Sequence, residues 1–341
     1  MKNYSLKTIV LLLTGTFLFL NCSNTINVNG HLKNEQEYLI LEKVIPLPNV
    51  SGRIDHIAIN IKKHIAYIAA LGNNSVEIVD LKKGEVIRSI KNLAEPQGII
   101  YIEESNSFFV ANGGSGECDV FNATSFEKST SLKLAGDADN VSYDTADKKI
   151  YVGYGSGGIA IIDATTFKLI TEIKLSGHPE SFQIDKTAKK IFVNVPDEQQ
   201  IEVIDLEIKL VTDKWQLTEA KANFPMALDE TNHRLFVGCR HSPKLLIIDT
   251  QTGKTISSLD IDSDVDDIFY DKNSKQIYLS CGGGYIDILK QKDANNYELV
   301  SKISTRSGAR TCLLVPELKQ LLLSVPSSMK KNAELHVYNI N

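Results

Sequence analysis

The chain has 341 residues, of which 43% are hydrophobic and 23% are charged. That balance is typical of a folded globular protein and excludes disorder, a collagen-like fibre and a membrane protein with many spanning segments. The 42 acidic and 37 basic side chains give a formal charge of −5, which disfavours nucleic acid as a partner.

Residues 1–21 have the pattern of a secretory signal peptide that is later removed. Lys2 and Lys7 form a basic start, and an apolar run follows over residues 9–20. This run is too short to cross a bilayer whose hydrocarbon core is about 30 Å thick, whereas it has the usual length of a signal-peptide core. The sequence therefore predicts export.

Leu18-Phe19-Leu20-Asn21-Cys22 resembles a bacterial lipobox, in which the cysteine is acylated and becomes the new N-terminus. Asn21 stands where Gly or Ala is more common, so an ordinary cleaved signal is the alternative. Residues 22–37 are polar and lack apolar periodicity, which is typical of a flexible tether. We expect a monomer of the cell envelope, held to a membrane only by the lipid on Cys22. The outer membrane is favoured because Ser23 replaces the Asp of an inner-membrane retention signal.

A short apolar segment recurs seven times after the tether. Its copies are residues 76–80, 118–122, 159–163, 201–205, 245–249, 286–290 and 335–339. Two apolar strands precede each copy and a more polar strand follows it, so each unit has four short strands linked by tight turns. Such a repeat predicts an all-β fold, a seven-bladed β-propeller with four antiparallel strands in each blade.

The seventh unit has no fourth strand, because the sequence ends after the third. Residues 38–47 have the pattern of a fourth strand and precede the first blade. We expect this N-terminal strand to join the C-terminal blade and close the ring, which gives a propeller domain over residues 38–341. An open solenoid with a capping strand is the alternative.

The first unit, IAALGNNSVEIVDLKKGEVIRSIKNLAEPQGI, resembles the YVTN repeat of YncE-like and surface-layer-type β-propellers. It shares their Gly-Asn-Asn turn, their VxVxD strand and the Pro before the next blade. The resemblance extends over residues 38–341. It implies the fold but not a chemistry, because such propellers serve as binding platforms, as cofactor holders and occasionally as hydrolases or lyases.

The start of each innermost strand of a propeller faces the same central channel. Residues at these starts and in the adjoining loops should therefore meet at one mouth, although they are far apart in sequence. The expected ligand-binding residues are Arg53, Asp55, His56, Gln97, Asp139, Asn140, Glu180, Asn223, Arg240, Asp266, Arg306 and Arg310.

Three kinds of ligand are compatible with these residues. In the first interpretation the four arginines bind the carboxylate of a small acidic molecule or of an envelope protein, and no cofactor is needed. In the second, one divalent cation is bound by His56, Asp139, His178, Glu180 and Asp266. The third, a quinone, has little support in a chain with one tryptophan.

The function predicted first is that of a non-enzymatic binding or scaffold protein of the cell envelope, with its ligand or partner at the channel mouth. The alternative is a metal-dependent, lactonase-like hydrolase or lyase at the same mouth. The sequence contains no GxSxG elbow, P-loop or HExxH motif. Cys118, Cys239, Cys281 and Cys312 are expected to be free thiols, because neighbouring sheets pack too far apart for a disulfide.

Overall fold

The computed structural model describes residue 1 and residues 37–341, and the predicted signal peptide, Cys22 and the tether up to residue 36 lie outside the described residues. Residues 37–341 contain seven four-stranded sheets, and within each sheet neighbouring strands are antiparallel. The helical elements of these residues are three short 3-10 turns, Leu71–Asn73, Pro196–Glu198 and Pro316–Leu318. No helix within residues 37–341 is long and apolar enough to cross a membrane.

The strands of blades 1 to 6 run from the channel outwards in chain order, and the outer strand of blade 7 is β1 (Leu39–Leu47). Blades 1 and 2 contain β2 (Ile57–Asn60), β3 (Ile65–Ala70), β4 (Ser75–Asp80), β5 (Glu85–Lys91), β6 (Pro96–Ile102), β7 (Ser107–Asn112), β8 (Glu117–Asn122) and β9 (Lys128–Lys133). Blades 3 and 4 contain β10 (Ala138–Asp144), β11 (Lys149–Tyr154), β12 (Gly158–Asp163), β13 (Leu169–Lys174), β14 (Phe182–Asp185), β15 (Lys190–Val195), β16 (Gln200–Asp205) and β17 (Leu210–Gln216). Blades 5 and 6 contain β18 (Lys221–Asp229), β19 (Arg234–His241), β20 (Pro243–Asp249), β21 (Thr255–Asp260), β22 (Val265–Asp271), β23 (Gln276–Cys281), β24 (Tyr285–Gln291) and β25 (Tyr297–Ser304). Blade 7 contains β26 (Thr311–Val315), β27 (Gln320–Val325), β28 (Ala333–Ile340) and β1 (Leu39–Leu47).

The sheets form a ring because each buries an apolar face against the next. The buried hydrophobic side chains fall into seven clusters, each of which lies between two consecutive blades. The cluster between blades 7 and 1, for example, joins Leu322 and Leu335 to Ile57 and Ile68. First strands contact one another around the channel, including β26 and β2 across the junction of the ring. The predicted seven-bladed, all-β fold is confirmed.

The N-terminal strand closes the ring as predicted. β1 pairs with β28 in antiparallel register from Leu39 opposite Ile340 to Leu47 opposite Ala333. Ile45 and Leu47 of β1 are fully buried in the cluster shared by blades 7 and 1. The outer strand of the last blade therefore comes from the beginning of the propeller, and the ring leaves no open junction for an open solenoid.

The Asp or Asn that ends the third strand of most blades stabilises the turn that follows. In blade 1 the Asp80 carboxylate accepts hydrogen bonds from the backbone N–H groups of Lys82 and Lys83. Asn122, Asp163, Asp205 and Asp249 make the same pair of bonds in blades 2 to 5. Such bonds explain why these residues recur at a strand end.

The four cysteines of the described residues are buried free thiols, as predicted. Trp215 lies on outer strand β17, where its ring packs against Phe192 at a centroid distance of 5.4 Å. Its role is therefore packing at the rim of blade 4.

Candidate functional site

The channel mouth is built from seven equivalent positions, one at the start of each first strand. These positions recur 41 to 44 residues apart and are occupied by Asp55, Gln97, Asp139, Glu180, Phe224, Asp266 and Arg310. Four of the seven are carboxylic acids. The column predicted from the sequence therefore does converge on the channel axis, and it is strongly acidic.

Irregular strand starts aim these side chains into the channel. The pairing of β6 with β7 shifts between Pro96 and Ile99, and the pairing of β10 with β11 shifts between Ala138 and Val141. The corresponding shift in β22 lies between Val265 and Asp267. A bulge turns side chains away from the plain alternation of a strand. Gln97, Asp139 and Asp266 lie inside these bulges and face the cavity.

Gly98 allows the backbones of blades 2 and 3 to meet beside the channel. A Cβ atom at this position would come within 2.0 Å of the Asp139 carbonyl oxygen. No side chain fits there, so glycine is needed for the close approach. The contact fixes the backbone that carries the Asp139 carboxylate.

The resulting cavity has a volume of about 210 Å³, and a smaller recess continues from it along the channel. The cavity is lined by Arg53, Gln97, Asp137, Asp139, His178, Glu180, Phe224, Arg240 and Asp266. The recess adds Asp55, His56, Asn140, Ser181 and Asp267. This volume is below the range of about 300 to 1,000 Å³ that holds drug-sized molecules. The mouth therefore suits an ion or a single side chain.

One wall of the cavity is neutralised by arginines. The Asp266 carboxylate bonds to Arg240, pairs with the Nε of Arg310 at 3.0 Å and lies 4.0 Å from the Nη2 of Arg53. Burial raises the pKa of Asp266, and the guanidinium groups of Arg240 and Arg310 oppose that rise. The Arg240 guanidinium also lies 3.8 Å from the centroid of the Phe224 ring, a cation–π contact.

The opposite wall is compensated less, because Arg53 and Arg240 lower the pKa values of its carboxyls only through longer-range charge interactions. Within residues 37–341, the carboxylates of Asp139 and Glu180 make no hydrogen bond or ion pair, although Asp139 is only 7% exposed. Burial and the charges of Asp55 and Glu180 raise the pKa of Asp139 to about 8. Burial and the charge of Asp266 raise the pKa of Glu180 to about 7. Burial is the larger cause of both shifts, and the neighbouring carboxylates add to it.

His56 lies between two carboxylates in the recess. Its ring nitrogens are 3.8 Å from an Asp55 oxygen and 3.7 Å from an Asp267 oxygen. Burial lowers the pKa of His56, but the charges of Asp55 and Asp267 outweigh it and raise the pKa to about 9. Burial also raises the pKa of Asp267, to about 7, although its Oδ2 accepts a hydrogen bond from the Cys312 backbone.

His178 lies above the acidic wall. Its Nδ1 is 2.6 Å from the Gly155 carbonyl oxygen and 3.5 Å from an Asp137 carboxylate oxygen. Because a carbonyl oxygen can only accept, Nδ1 carries the proton in this hydrogen bond. The lone pair of a neutral His178 is then on Nε2. His178, Asp139 and Glu180 each offer one ligand atom, and these atoms lie within 4.8 Å of one another.

The structure brings most predicted site residues to the mouth but not Asn223 or Arg306. Asn223 comes one residue before the position that faces the channel, and it is equivalent to Ala138 and Val265 in blades 3 and 6. A shift of one residue turns a side chain to the other face of the strand, so Asn223 points into the blade interface. It is fully buried and donates to the Asn194 side chain and to the Gln200 carbonyl.

Arg306 lies in the loop before blade 7 and binds that blade. Its guanidinium pairs with Glu334 at 2.6 Å and donates to the carbonyls of Pro326 and Asn332. The expectation that Asn223 and Arg306 face the channel is thus corrected. The lining residues outside the predicted sets are Asp137, Ser181, Phe224 and Asp267. Phe224 occupies the repeated position of blade 5, and Ser181 and Asp267 directly follow that position in blades 4 and 6, so the period of the sequence could have identified these three.

The arginines are not free to receive an acidic ligand as first expected. Arg53 pairs with Asp55 at 2.9 Å, Arg310 pairs with Asp264 and Asp266, and Arg240 is held by Asp266. A carboxylate ligand would have to displace these partners. Among the charged residues that line the cavity and the recess, Asp139 and Glu180 alone have no ion-pair or hydrogen-bond partner within residues 37–341.

A second groove, of about 370 Å³, lies at the other end of blades 3 and 4. Its lysines are largely paired: Lys186 lies 2.8 Å from Asp144, Lys149 lies 3.5 Å from Asp147, and Lys189 bonds to Glu207. Surface pairs of this kind leave little net charge for recognition. The channel mouth is therefore the stronger candidate.

Comparison with known proteins shows the fold alone. No family model matches the chain, and no curated protein matches it. Among solved structures, hydrazine synthase from Kuenenia stuttgartiensis is 16% identical with a TM-score of 0.73, over 85% of this chain and 96% of that chain. A chain in the crystal structure of the mitotic checkpoint complex is 13% identical with a TM-score of 0.72, over 98% of each chain.

Proposed function

We propose that this protein is a non-enzymatic binding module of the cell envelope that holds a positively charged ligand at the mouth of its channel. The observation that carries the proposal is the pair Asp139 and Glu180, two carboxylates in a buried setting with no ion-pair partner within residues 37–341. A buried carboxylate without a partner is costly, and a bound cation removes that cost.

The distribution of charge supports a cation and not an anion. The three arginines of the cavity are engaged by Asp55, Asp264 and Asp266, so their charge is already balanced. Asp139 and Glu180 lie across the same cavity from them. An anion would have to displace the carboxylates that already hold the arginines, whereas a cation would replace the protons that the raised pKa values of Asp139 and Glu180 retain.

The cavity size limits the ligand. A volume of about 210 Å³ admits a metal ion or the end of a lysine or arginine side chain from a partner protein.

We also propose that the protein is exported and attached to a membrane by a lipid. Lys2, Lys7, the apolar run of residues 9–20 and the lipobox-like residues before Cys22 support an anchored envelope protein. The YVTN-like repeat supports membership of a group of propellers that act as binding platforms.

Thermal melting of the full chain with four probes tests the proposed function. ZnCl₂, CaCl₂, Nα-acetyl-lysine amide and Nα-acetyl-glutamate are compared at equal ionic strength. We expect at least one cationic probe to raise the melting temperature, because a ligand stabilises the state that binds it, and we expect Nα-acetyl-glutamate to have no effect. Asp139→Asn combined with Glu180→Gln should abolish the shift. Stabilisation by the anionic probe alone would overturn the proposal.

A further inference from the structure

We propose that the cation of this site is a divalent transition-metal ion, of the Zn²⁺ or Mn²⁺ type, bound by Asp139, His178 and Glu180. The inference rests on the proposed cation-binding function and names the chemical class of the cation. It assigns the ion to the junction of blades 3 and 4, on one side of the mouth, and not to the arginine-rich wall around Asp266.

Three donor atoms are already close enough to share an ion. One ligand atom each from Asp139, His178 and Glu180 lies within 4.8 Å of the other two. His178 and Glu180 are two residues apart in the segment that leads into β14, and Asp139 comes from the bulge of β10 in the neighbouring blade. Only small side-chain movements are needed to bring such atoms to the distances of about 2.0 to 2.2 Å found around zinc.

The Asp139 carboxylate gives a second indication, independent of the distances between the donor atoms, that a ligand binds at this site. It is buried to more than nine-tenths, it lines the cavity, and within residues 37–341 it has no hydrogen-bond or ion-pair partner. Its counterpart in blade 6, Asp266, has the same position and is held by arginines. Buried carboxylates are paired or coordinate metals, so an unpaired one that faces a cavity indicates a missing positive charge.

One ring nitrogen of His178 is hydrogen-bonded in the way that is usual for metal-bound histidines. Its Nδ1–H donates to the Gly155 carbonyl at 2.6 Å, which fixes the ring and leaves Nε2 as the ligand atom. Asp137 lies 3.5 Å from the same Nδ1 and favours that orientation. A histidine ligand nearly always has such a second partner on its other nitrogen, because the partner sets the tautomer and strengthens the ligand.

The donor set selects the kind of metal. One imidazole with two carboxylates suits Zn²⁺ or Mn²⁺, whereas Ca²⁺ prefers oxygen ligands alone and more of them. Two carboxylates also balance the charge of a divalent ion. Three protein ligands leave coordination positions that open into the cavity, where Arg53 and Arg240 line the far side. A bound ion would therefore be accessible from the mouth.

Isothermal titration of the metal-free full chain with ZnCl₂, MnCl₂ and CaCl₂ tests the inference, with Nα-acetyl-lysine amide as the organic cation. We expect one Zn²⁺ or Mn²⁺ site per chain and weaker binding of Ca²⁺. Asp139→Asn, His178→Gln and Glu180→Gln should each weaken Zn²⁺ or Mn²⁺ binding by at least about tenfold, since even the loss of an outer-shell partner costs about 10- to 100-fold. Asp197→Asn is the matched control, because it removes one exposed carboxylate at the same mouth, and it should leave the affinity within about twofold.

A second readout separates loss of a ligand from loss of the fold. Urea unfolding of each variant reports the fold, and the visible spectrum of the Co²⁺-loaded protein reports the ligands. We expect His178→Gln to unfold normally and to change the Co²⁺ spectrum. Zn²⁺ and Mn²⁺ binding that survives His178→Gln unchanged would overturn the proposed ligand set. Binding of the lysine amide without Zn²⁺ or Mn²⁺ would overturn the metal and leave the proposed function standing, and binding of no cation would overturn both.

Discussion

Asp139 and Asp266 occupy equivalent positions in blades 3 and 6, yet Asp266 is held by arginines while Asp139, within the described propeller, has no partner. The near-symmetry of the ring therefore places the same carboxylate in two opposite electrostatic settings. This contrast divides the mouth into a neutralised wall and an acidic wall, and it makes the two residues a natural experimental pair.

Asp139→Asn should stabilise the cation-free protein at alkaline pH. The substitution removes a buried, unpaired charge and keeps the shape of the side chain. At about pH 9, where this carboxyl of pKa about 8 is ionised in the wild type, we expect the melting temperature to rise by about 2 to 4 °C. Differential scanning calorimetry in EDTA checks this, with Asp197→Asn as the exposed control. A lower melting temperature for Asp139→Asn would contradict the electrostatic account.

Asp266→Asn should have the opposite effect. It leaves Arg53, Arg240 and Arg310 without the carboxylate that they share. Their other partners remain, Asp55 for Arg53 and Asp264 for Arg240 and Arg310, so we expect the free energy of unfolding to fall by about 1 to 3 kcal/mol, the cost of losing one buried partner. Urea denaturation at neutral pH measures the loss. An Asp266→Asn protein as stable as the wild type would show that the arginines do not depend on this residue.

The unfolding free energy of the cation-free protein should fall as the pH rises from about 6 to about 9. The folded protein raises the pKa of Asp267 from 3.8 to about 7 and that of His56 from 6.5 to about 9. A group whose pKa is higher in the folded state stabilises the fold below its unfolded pKa, and this stability is lost as the pH rises through the folded value. Both groups therefore act in the same direction, as do Asp139 and Glu180.

Urea unfolding at several pH values in EDTA checks this pH dependence. Asp267→Asn should flatten the lower part of the profile, because it removes the proton that Asp267 binds on folding. Asp197→Asn, at an exposed position, should leave the profile unchanged. Stability that rises between about pH 6 and about pH 9 would contradict the assignment of raised pKa values.

Asn223→Ala should destabilise the fold without weakening cation binding. The Asn223 side chain donates to Asn194 and to the Gln200 carbonyl inside the interface of blades 4 and 5, and it is fully buried. Removing a buried partner costs about 1 to 3 kcal/mol, because the groups left behind are unsatisfied. Unfolding and Zn²⁺ titration measured on the same sample separate the two effects. A loss of Zn²⁺ affinity without a loss of stability would show that Asn223 belongs to the binding site after all.

The N-terminal strand should be essential to the ring, and the residues before it should not be. A chain that begins at residue 37 keeps β1, whereas a chain that begins at residue 48 exposes the edge of β28 and loses the fully buried Ile45 and Leu47. We expect the first to be soluble and to unfold cooperatively, and the second to aggregate. Size-exclusion chromatography and circular dichroism distinguish these outcomes, and a stable ring without residues 37–47 would contradict the closure.

The sequence alone predicts the closed ring of blades because the pattern of strands is repeated seven times. Each copy of the third strand, in most blades with a terminal Asp or Asn, gave an independent indication, and residues 38–47 supplied the one strand that the last blade lacked. The period also brought Asp55, Asp139 and Asp266 to one mouth correctly. These features depend on local pattern and on closure, which a single sequence contains.

The pairing of charges at the mouth could not be predicted in the same way. A bulge of one residue at the strand starts decides whether a side chain faces the channel or the blade interface, and this is why Asn223 was misplaced. Which arginine meets which carboxylate depends on side chains from different blades. The sequence could not show that Asp139 is unpaired, because this depends on Arg53, Arg240 and Arg310 binding other carboxylates.

The most direct test of the cation site is an anomalous-difference map, recorded at the zinc absorption edge, from crystals of the protein grown with ZnCl₂. The account predicts one strong peak at the mouth, about 2.0 to 2.2 Å from the carboxylate oxygens of Asp139 and Glu180 and from Nε2 of His178. A peak beside Asp264 and Asp266 on the arginine wall, or no peak in the channel, would contradict it.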